Sequence, residues 1–412
     1  MGCDHDPQFD DFIRTIRLSE LCTAASSCRG GLSCDLGEHT IGGFNVVYEL
    51  IFSDKIVWMA RIPLPYNCYH TEDVSASYAA TLKYLKKHST IPVPTVFACC
   101  LQPDPDNKVN ATYILMEKLP GHLLPTLEQE DLVPDQNDLD LATNVHQQLT
   151  DIILELASFK FSHIGSLRED PDGEFIVGPY VDPSGTAYPK HKAAVYNALG
   201  SCHKGPFSSV SDWYNAMAEL NRKFALEDPE EEGDRDVTVA EYELLAELSM
   251  DIVVEEFQTG PFVINHNDLT VQNILVDDEF NITGILDFPG TIVPLASLCV
   301  FPWLFSDNLA GLVTKRDAYR DVFVNRECQY SSSALQSCEI RRGLMESATN
   351  RQEFEIGFLG PYTSIVLPGL FEKIKKRPFD PDVDYQRVSV TREWFKELAG
   401  NDGLYSWQKS TL

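Results

Sequence analysis

Four polar residues in the second half of the chain have the types and the spacing that phosphoryl transfer needs. His266, Asp268 and Asn273 lie in one short stretch, and Asp287 follows after an intervening turn. A carboxylate such as Asp268 can accept the proton of an attacking hydroxyl group. The side-chain oxygens of Asn273 and Asp287 are ligands of the kind that Mg²⁺ binds. We therefore predict Asp268 as the catalytic base, His266 as the residue that braces the catalytic loop, and Asn273 and Asp287 as metal ligands.

A predicted β-hairpin positions these residues. Two apolar runs, 274–276 and 282–288, flank a short polar stretch, which is typical of two strands joined by a turn. Asn273 and Asp287 are equally far in sequence from Phe280, the centre of the predicted turn. Antiparallel pairing would set them opposite each other, with Cα atoms about 4.5–5.5 Å apart. The hairpin therefore predicts one open end at which both side chains can share a cation.

A small sheet-rich lobe is predicted upstream of this hairpin. Segments 44–52 and 56–62 are rich in strand-forming residues and are separated by turn residues, which indicates a β-hairpin. A further strand is predicted at 111–117. Between these strands one helix is predicted, and its apolar face comprises Val74, Tyr78, Leu82 and Leu85.

A mainly helical lobe is predicted downstream, after an acid-rich segment at 126–140 that is typical of a solvated connection. Helical spacing of apolar residues recurs at 142–158 and 239–254, with a surface loop at 227–234. The sequence thus predicts an α+β protein of two lobes. Its predicted parts are an N-terminal helical extension (1–37), an N-lobe for the nucleotide (38–122), a C-lobe with the catalytic loop and substrate helices (123–380), and a C-terminal tail (381–412).

The charge of the chain excludes some classes of partner. Among 412 residues, 62 acids against 33 bases give a formal net charge of −29. Such a surface repels nucleic-acid phosphates and anionic lipid. The substrate is therefore predicted to be a small molecule that is neutral or cationic.

The sequence favours a cytoplasmic location. We find no basic run followed by an apolar core near Met1, as a secretory signal would require. The nearly apolar segment 292–305 is too short and too interrupted by proline to cross a bilayer, and is expected in the core. Eleven cysteines, an odd number, are typical of reduced and buried thiols.

The motif HNDLTVQNILVD at 266–277, followed by GILDFPG at 284–290, resembles the aminoglycoside phosphotransferase and choline-kinase-like family, in particular its fungal branch of small-molecule kinases. The similarity covers roughly residues 42–303. It implies a bilobal protein-kinase-like fold and a transfer of phosphate from ATP, with Mg²⁺, to a hydroxyl group of a small molecule.

The resemblance also implies roles for single residues. Asp268 matches the catalytic base, and Asn273 and Asp287 match the magnesium ligands. The cofactor-binding positions are Arg61, where kinases place the phosphate-holding lysine, Gly42 and Gly43 at the phosphate loop, and Glu117 at the hinge between the lobes.

One helix position departs from the family pattern. Tyr78 stands where a glutamate usually pairs with the basic strand residue, and Glu72 would face another side of the helix. Arg61 is therefore expected to lack a partner and to hold phosphates less well. The alternative is a catalytically impaired kinase-like protein that binds nucleotide or acts as a scaffold. Neither the phosphate acceptor nor the oligomeric state is indicated by the sequence.

Overall fold

The computed structural model describes residues 7–64, 71–102, 104–124, 136–181, 204–227, 235–299, 319–326 and 363–388. The chain divides into two compact units. The first comprises Met1–Val210 and Val254–Thr349, and the second comprises Ser211–Val253 and Asn350–Leu412. All of the site residues considered below belong to the first unit.

An antiparallel sheet of five strands begins the first unit, in the order β1-β2-β3-β5-β4. Its strands are β1 (Cys34–Ile41), β2 (Asn45–Phe52), β3 (Val57–Pro63), β4 (Val96–Cys100) and β5 (Tyr113–Glu117). Alternate residues of β2 and β3 are buried, because successive side chains of a strand point to opposite faces of a sheet. The predicted hairpin and the predicted strand at 111–117 are confirmed.

Two N-terminal helices, α1 (Pro7–Thr15) and α2 (Leu18–Cys28), pack on one face of this sheet. Leu21 of α2 is fully buried in the same apolar cluster as the inward-facing residues of β2 and β3. Arg29 donates to both carboxylate oxygens of Asp54 in the β2–β3 turn, at 3.1 and 2.9 Å. The helices fall within the predicted extension, 1–37, whereas β1 already begins at Cys34. The boundaries of the predicted parts stay predictions.

Helix α3 (Thr71–His88) lies on the other face of the sheet, the face to which Arg61 points. The apolar face predicted for this helix is confirmed: Tyr78, Leu82 and Leu85 are buried and Val74 is half-buried. Serine, alanine and threonine fill much of the remaining buried surface of α3. Their small size lets the backbone of α3 approach its neighbours closely.

Two smaller antiparallel sheets complete the first unit. One has the order β11-β10-β6 and the other the order β8-β7-β12-β9. The strands are β6 (His122–Leu123), β7 (Gly165–Glu169), β8 (Phe175–Gly178), β9 (Phe262–Asn265), β10 (Ile274–Val276), β11 (Ile282–Ile285) and β12 (Thr291–Pro294). Residues 292–298 are buried, as the sequence predicted for this part of the apolar segment, and 300–305 lie outside the described residues.

Helix α4 (Gln136–Ser158) packs on β9. Its apolar rhythm is buried as predicted, at Val145, Leu149, Ile152 and Leu156. The helix begins earlier than the sequence indicated, so the prediction of a solvated connection is wrong for 136–140, and 126–135 lie outside the described part. An acid-rich composition indicates a solvated loop, but acidic residues are equally common near the N-terminus of a helix.

The second unit contains helices α5 (Val210–Glu227), which starts at the last residue of the first unit, α6 (Arg235–Ile252) and α7 (Thr363–Lys375). The helix predicted at 239–254 is thus confirmed, whereas 228–234 of the predicted loop lie outside the described residues. Residues 381–388, at the start of the predicted tail, are helical, and the boundary of the tail stays a prediction. Arg377 holds the buried carboxylate of Asp384 in that segment, at 3.0 and 2.5 Å. None of the helices described in either unit is both long and apolar enough to span a membrane.

We expect Leu21→Ala to lower the free energy of unfolding by about 2–5 kcal/mol, because it opens a cavity beneath the sheet. Ser19→Ala, an exposed change on the same helix, is the control and should change it by less than about 0.5 kcal/mol. Urea unfolding followed by tryptophan fluorescence measures both. A loss below about 1 kcal/mol for Leu21→Ala would show that α2 is not an integral part of the sheet's core.

Candidate active site

The chain turns sharply after β9, at the start of the predicted catalytic loop. Asn267 has a positive φ of 63°, a conformation that asparagine tolerates better than most residues. Its side-chain N–H donates to the hydroxyl of Thr291, and its side-chain oxygen accepts from Asn265 at 2.6 Å. Thr291 and Asn265 are partners in the β9–β12 ladder. The turn is therefore fixed to the end of a buried sheet.

His266 is buried and connects the catalytic loop to the segment before Asp287. Its Nε2 donates to the carbonyl of Leu286 at 2.8 Å, and its Nδ1 accepts the backbone N–H of Asp268 at 3.3 Å. The ring also contacts Phe288, with centroids 4.6 Å apart. Burial lowers the pKa of His266 to about 4, despite the opposing hydrogen bond to Leu286. The imidazole is therefore neutral at ordinary pH, with its proton on Nε2.

Asp268 and Asn273 are joined directly. The side-chain N–H₂ of Asn273 donates to the backbone carbonyl of Asp268 at 2.7 Å and to its Oδ2 at 3.0 Å. A short 3₁₀ turn, Val271–Asn273, brings the amide back to the carboxylate. Asp268 is exposed at the surface, but partial burial of its carboxyl group raises its pKa. The hydrogen bond from Asn273 opposes this rise and the negative charge of Asp287 adds to it.

Strands β10 and β11 form the predicted hairpin, but the register differs by one residue from the prediction. The N–H of Leu286 donates to the carbonyl of Asn273 at 2.8 Å. Leu286, rather than Asp287, thus lies opposite Asn273. The prediction centred the turn on Phe280, whereas the innermost ladder pair, Val276 and Ile282, centres it on Glu279. Thr283 is an extra residue between two ladder pairs, and it recovers one of the two residues of this difference. Asp287 comes after the ladder, with a positive φ of 49°.

Arg61, in contrast to the expectation, has partners on two sides. Its Nη1 lies 2.7 Å from Oδ1 of Asp287, and its guanidinium carbon lies 4.3 Å from the ring centroid of Tyr78. The expectation considered only acids on the helix, and it missed that an aromatic face binds a guanidinium group. Although burial opposes protonation, the charge of Asp287 and the phenol of Tyr78 hold the pKa of Arg61 above its usual value. Arg61 is thus a buried, paired cation.

The segment after Asp287 packs closely against α3. Gly290 has a positive φ of 70°, and a Cβ atom added there would overlap the side chain of Thr81. Only glycine satisfies both conditions without strain. Gly290 therefore lets the end of the motif lie on the same helix that carries Tyr78.

Gly42 and Gly43 lie in the turn between β1 and β2. The N–H of Gly42 donates to the carbonyl of Asn45 at 2.8 Å. Neither glycine has a positive φ, and an added Cβ would have ordinary room at Gly42 and open space at Gly43. The turn lies at the end of the sheet where Val47 pairs with Arg61. Its role in cofactor binding stays a prediction.

Glu117 ends β5, next to the predicted hinge. Its Oε2 accepts the backbone N–H and the hydroxyl of Thr95, at 3.0 and 2.7 Å, and Lys86 lies 3.2 Å away. Burial alone would raise the pKa of Glu117, but the bonds from Thr95 and Lys86 outweigh it and lower the pKa. The carboxylate thus ties β4, β5 and α3 together, and its role in cofactor binding stays a prediction.

The donor atoms around Asn273 fit a hard cation. The side-chain oxygen of Asn273 accepts no hydrogen bond from the described residues. The carboxylate of Asp287 is 42% exposed and uses one oxygen for Arg61. Oxygen ligands of this kind, with water and phosphate oxygens, suit Mg²⁺. Within the described ranges, no cluster of three or more His, Cys, Asp or Glu residues could hold a metal ion by itself.

Four residues of the cluster were missed as contributors by reasoning from the sequence. Tyr78 was noted only as a departure, and Asn267, Thr291 and Gly290 were given no role. An asparagine inside a sharp polar turn is a signal for positive φ, and a glycine after a motif aspartate is a signal for close packing. The contact between Tyr78 and Arg61 joins a helix to a strand, and no local pattern indicates it.

The sequence of the chain is similar to a known protein family. The pattern of the phosphotransferase enzyme family (APH) matches residues 42–291, more than half of the chain. A subtelomeric hrmA-associated cluster protein of Aspergillus fumigatus is 29% identical over 157 residues. That match covers 35% of this chain and only 29% of the Aspergillus protein.

Solved structures that are similar to this chain at low sequence identity include the following three. A fructosamine-3-kinase homologue from Thermobifida fusca has a TM-score of 0.49 at 12% identity, over 86% of this chain and 97% of that one. Macrolide 2'-phosphotransferase MphH from Brachybacterium faecium has a TM-score of 0.42 at 15% identity, over 88% and 99%. Aminoglycoside phosphotransferase APH(4)-Ia, as a thermostable mutant in complex with ADP and hygromycin B, has a TM-score of 0.46 at 12% identity, over 84% and 98%.

We expect Gly290→Ala to destabilise the protein by about 3 kcal/mol or more, from backbone strain and from the clash with Thr81. Gly173→Ala is the matched control, because Gly173 also has a positive φ but has nothing within 4 Å of an added Cβ. Strain alone should cost the control about 1–2 kcal/mol. Equal losses in the two variants, measured by urea unfolding, would contradict the close approach to α3.

The buried His266 should make the metal-free protein less stable in mild acid. The folded state keeps His266 neutral down to about pH 4, whereas the unfolded state protonates it below about 6.5. The unfolded state therefore binds more protons in this window, and the free energy of unfolding should fall by about 2 kcal/mol from pH 7 to pH 5. His266→Gln cannot titrate, so its pH slope should be smaller by that amount. Parallel slopes would contradict a neutral, buried His266.

Proposed function

Since the chain belongs to the phosphotransferase enzyme family, we propose that it transfers the γ-phosphate of ATP to a hydroxyl group of a small molecule. The observation that carries this proposal is one connected set of contacts. Asn273 binds Asp268, and His266 binds the carbonyl next to Asp287. Arg61 binds Asp287 itself. A base, two oxygen ligands and a cation for phosphate are thereby within one cluster.

Asp268 is the proposed catalytic base. Asn273 orients its carboxylate through Oδ2, and the other carboxylate oxygen is left to accept the proton of an attacking hydroxyl. The raised pKa of Asp268 makes its carboxylate a better proton acceptor than that of an ordinary aspartate. His266 contributes position rather than protons, because both of its ring nitrogens are engaged.

Asn273 and Asp287 are the proposed ligands of Mg²⁺. When bound, the metal neutralises charge on the phosphate oxygens. Asn273 can offer its side-chain oxygen while its N–H₂ stays on Asp268. Asp287 offers the carboxylate oxygen that is not bound to Arg61. The chain therefore supplies both ligands without breaking the hydrogen bonds that hold Asp268.

Arg61 is the proposed phosphate-holding residue of the nucleotide site. A guanidinium group offers several donors in a rigid fork, which suits two phosphate oxygens at once. Phosphates are then expected to replace Asp287 as the partner of Arg61. Gly42, Gly43 and Glu117 are proposed to line the same nucleotide site, in the predicted N-lobe of residues 38–122.

The remaining properties are proposed from composition. The net charge of −29 favours a neutral or cationic acceptor over an anionic one. The described cysteines are free thiols, in keeping with the proposed cytoplasmic location. The alternative, a nucleotide-binding scaffold, rests on Tyr78 in place of a helix acid and on the short glycine pair Gly42–Gly43 in place of a longer glycine-rich loop. Arg61 has two partners, which weakens the first of these grounds, and the assay below separates the two functions.

We expect Asp268→Asn to reduce turnover by at least about 100-fold, because an amide cannot accept the proton. The assay is ADP release from Mg·ATP across a panel of hydroxylated amines and sugars. Asp278→Asn is the control, since Asp278 lies in the turn of the same hairpin and is 96% exposed. Binding of nucleotide without transfer to any acceptor would support the scaffold alternative. Full turnover by Asp268→Asn would refute the proposed base.

A further inference from the structure

The partner that Arg61 finds on α3 is an aromatic ring. We propose that Tyr78 is a positioning residue that holds Arg61 for the phosphates of the nucleotide, in place of a helix carboxylate. This inference rests on the proposed function. Tyr78, the residue at which the chain departs from the kinase pattern, would then have a role in the site.

The ring geometry is the first support. The guanidinium carbon of Arg61 lies 4.3 Å from the centroid of the Tyr78 ring. Tyr78 is 3% exposed, and the side chain of Arg61 is 15% exposed. A cation over an aromatic face is attracted by the ring quadrupole, and the attraction is stronger when both groups are removed from water. Contact with the planar ring fixes the distance between the guanidinium group and the ring, while the N–H groups at the edge of the guanidinium group can bind other partners.

The location of the Tyr78 side chain gives the second support. The phenol of Tyr78 lies close enough to Arg61 and to the backbone of Asp287 to interact with both. One side chain of α3 is therefore in contact with both the cation and the segment that carries the proposed metal ligand. Burial raises the pKa of Tyr78 to about 12, although the charge of Arg61 opposes this. The phenol is thus neutral at any working pH.

Charge is what distinguishes this arrangement from a helix carboxylate. A lysine paired with a glutamate is a neutral unit, whereas Arg61 paired with a neutral phenol keeps its full positive charge. The balancing charge comes from Asp287, at 2.7 Å. If Asp287 turns to a metal ion, Tyr78 still holds Arg61 in place, and the charge of Arg61 is then available to phosphate oxygens.

Helix α3 is itself fixed on both sides of Tyr78. Towards its N-terminus, Asp73 accepts from Arg168 of β7 at 2.9 Å. Towards its C-terminus, Lys83 donates to Glu169, also of β7, at 2.5 Å. These two pairs flank Tyr78 in sequence, so the position of the ring does not depend on Arg61. A ring that is held independently can act as a fixed support.

The test measures equilibrium binding of Mg·ADP, with ADP fluorescently labelled, to variants at position 78. Tyr78→Phe keeps the ring and should bind within about threefold of the unchanged protein. Tyr78→Met removes the aromatic face and should bind about tenfold more weakly, as expected for a buried cation–π contact. Tyr84→Met is the matched control, because the Tyr84 ring on the same helix contacts Phe159 and Phe175 instead. It should lower stability in urea without changing the affinity.

Two further measurements separate positioning from mere packing. In the Arg61→Ala background, Tyr78→Met should cause no additional loss of affinity, because the residue acts through Arg61. Replacement of Tyr78 by phenylalanine with one, two and three fluorine atoms weakens the ring quadrupole without removing the side chain. Affinity for Mg·ADP should fall stepwise along this series, even if Tyr78→Met does not fold.

The outcomes distinguish this inference from the proposed function. If the unchanged protein does not bind Mg·ADP, the proposed function itself is wrong. Binding by the unchanged protein, together with a flat fluorination series or additive losses in the double variant, would overturn the role of Tyr78 alone. A stepwise fall in affinity for Mg·ADP, with unaltered stability in urea, is the result expected if Tyr78 positions Arg61.

Discussion

The hydrogen bonds of His266 are the constraint on which the site depends. This imidazole is buried, so each of its nitrogens needs a partner. One nitrogen takes the backbone N–H of Asp268 and the other gives its proton to the carbonyl of Leu286. The proposed base and the proposed metal ligand Asp287 are thereby held at a fixed separation, although they belong to different turns. Because burial lowers the pKa of His266 to about 4, this connection persists over the physiological pH range.

The charge of Arg61 is a second constraint on the site. A buried guanidinium group must be compensated, and here Asp287 and the ring of Tyr78 share that task. Breaking a buried ion pair by removing one partner is costly, because it leaves an unpaired charge in a region with little water. Exchange of partners avoids this cost: phosphate can replace Asp287, and a cation can replace Arg61. The arrangement without ligand therefore already contains the charges that a magnesium nucleotide would need.

Much of the scaffold could be predicted from the sequence, since it is encoded locally. Alternating residues indicated the β2–β3 hairpin, helical spacing indicated α3, and the family motif indicated Asp268 and Asn273 together. The α+β fold class and the phosphotransferase family are confirmed. The predicted register of the β10–β11 hairpin was wrong because the turn is centred on Glu279 rather than Phe280.

Contacts between distant segments could not be predicted in the same way. Nothing near Tyr78 in sequence indicates that its ring lies under Arg61, because the contact depends on how α3 packs on the sheet. The absence of an acid was therefore interpreted as the absence of a partner. Similarly, the need for glycine at 290 follows from Thr81, which lies on another element.

The most direct test of this account is a crystal structure of the protein with Mn²⁺ and a non-hydrolysable ATP analogue, in which anomalous scattering locates the metal. The account predicts a manganese peak coordinated by the side-chain oxygen of Asn273 and by Asp287, with Arg61 on phosphate oxygens and still over the ring of Tyr78. A nucleotide bound elsewhere, or a bound nucleotide with Arg61 still paired to Asp287 and no metal at Asn273, would contradict it.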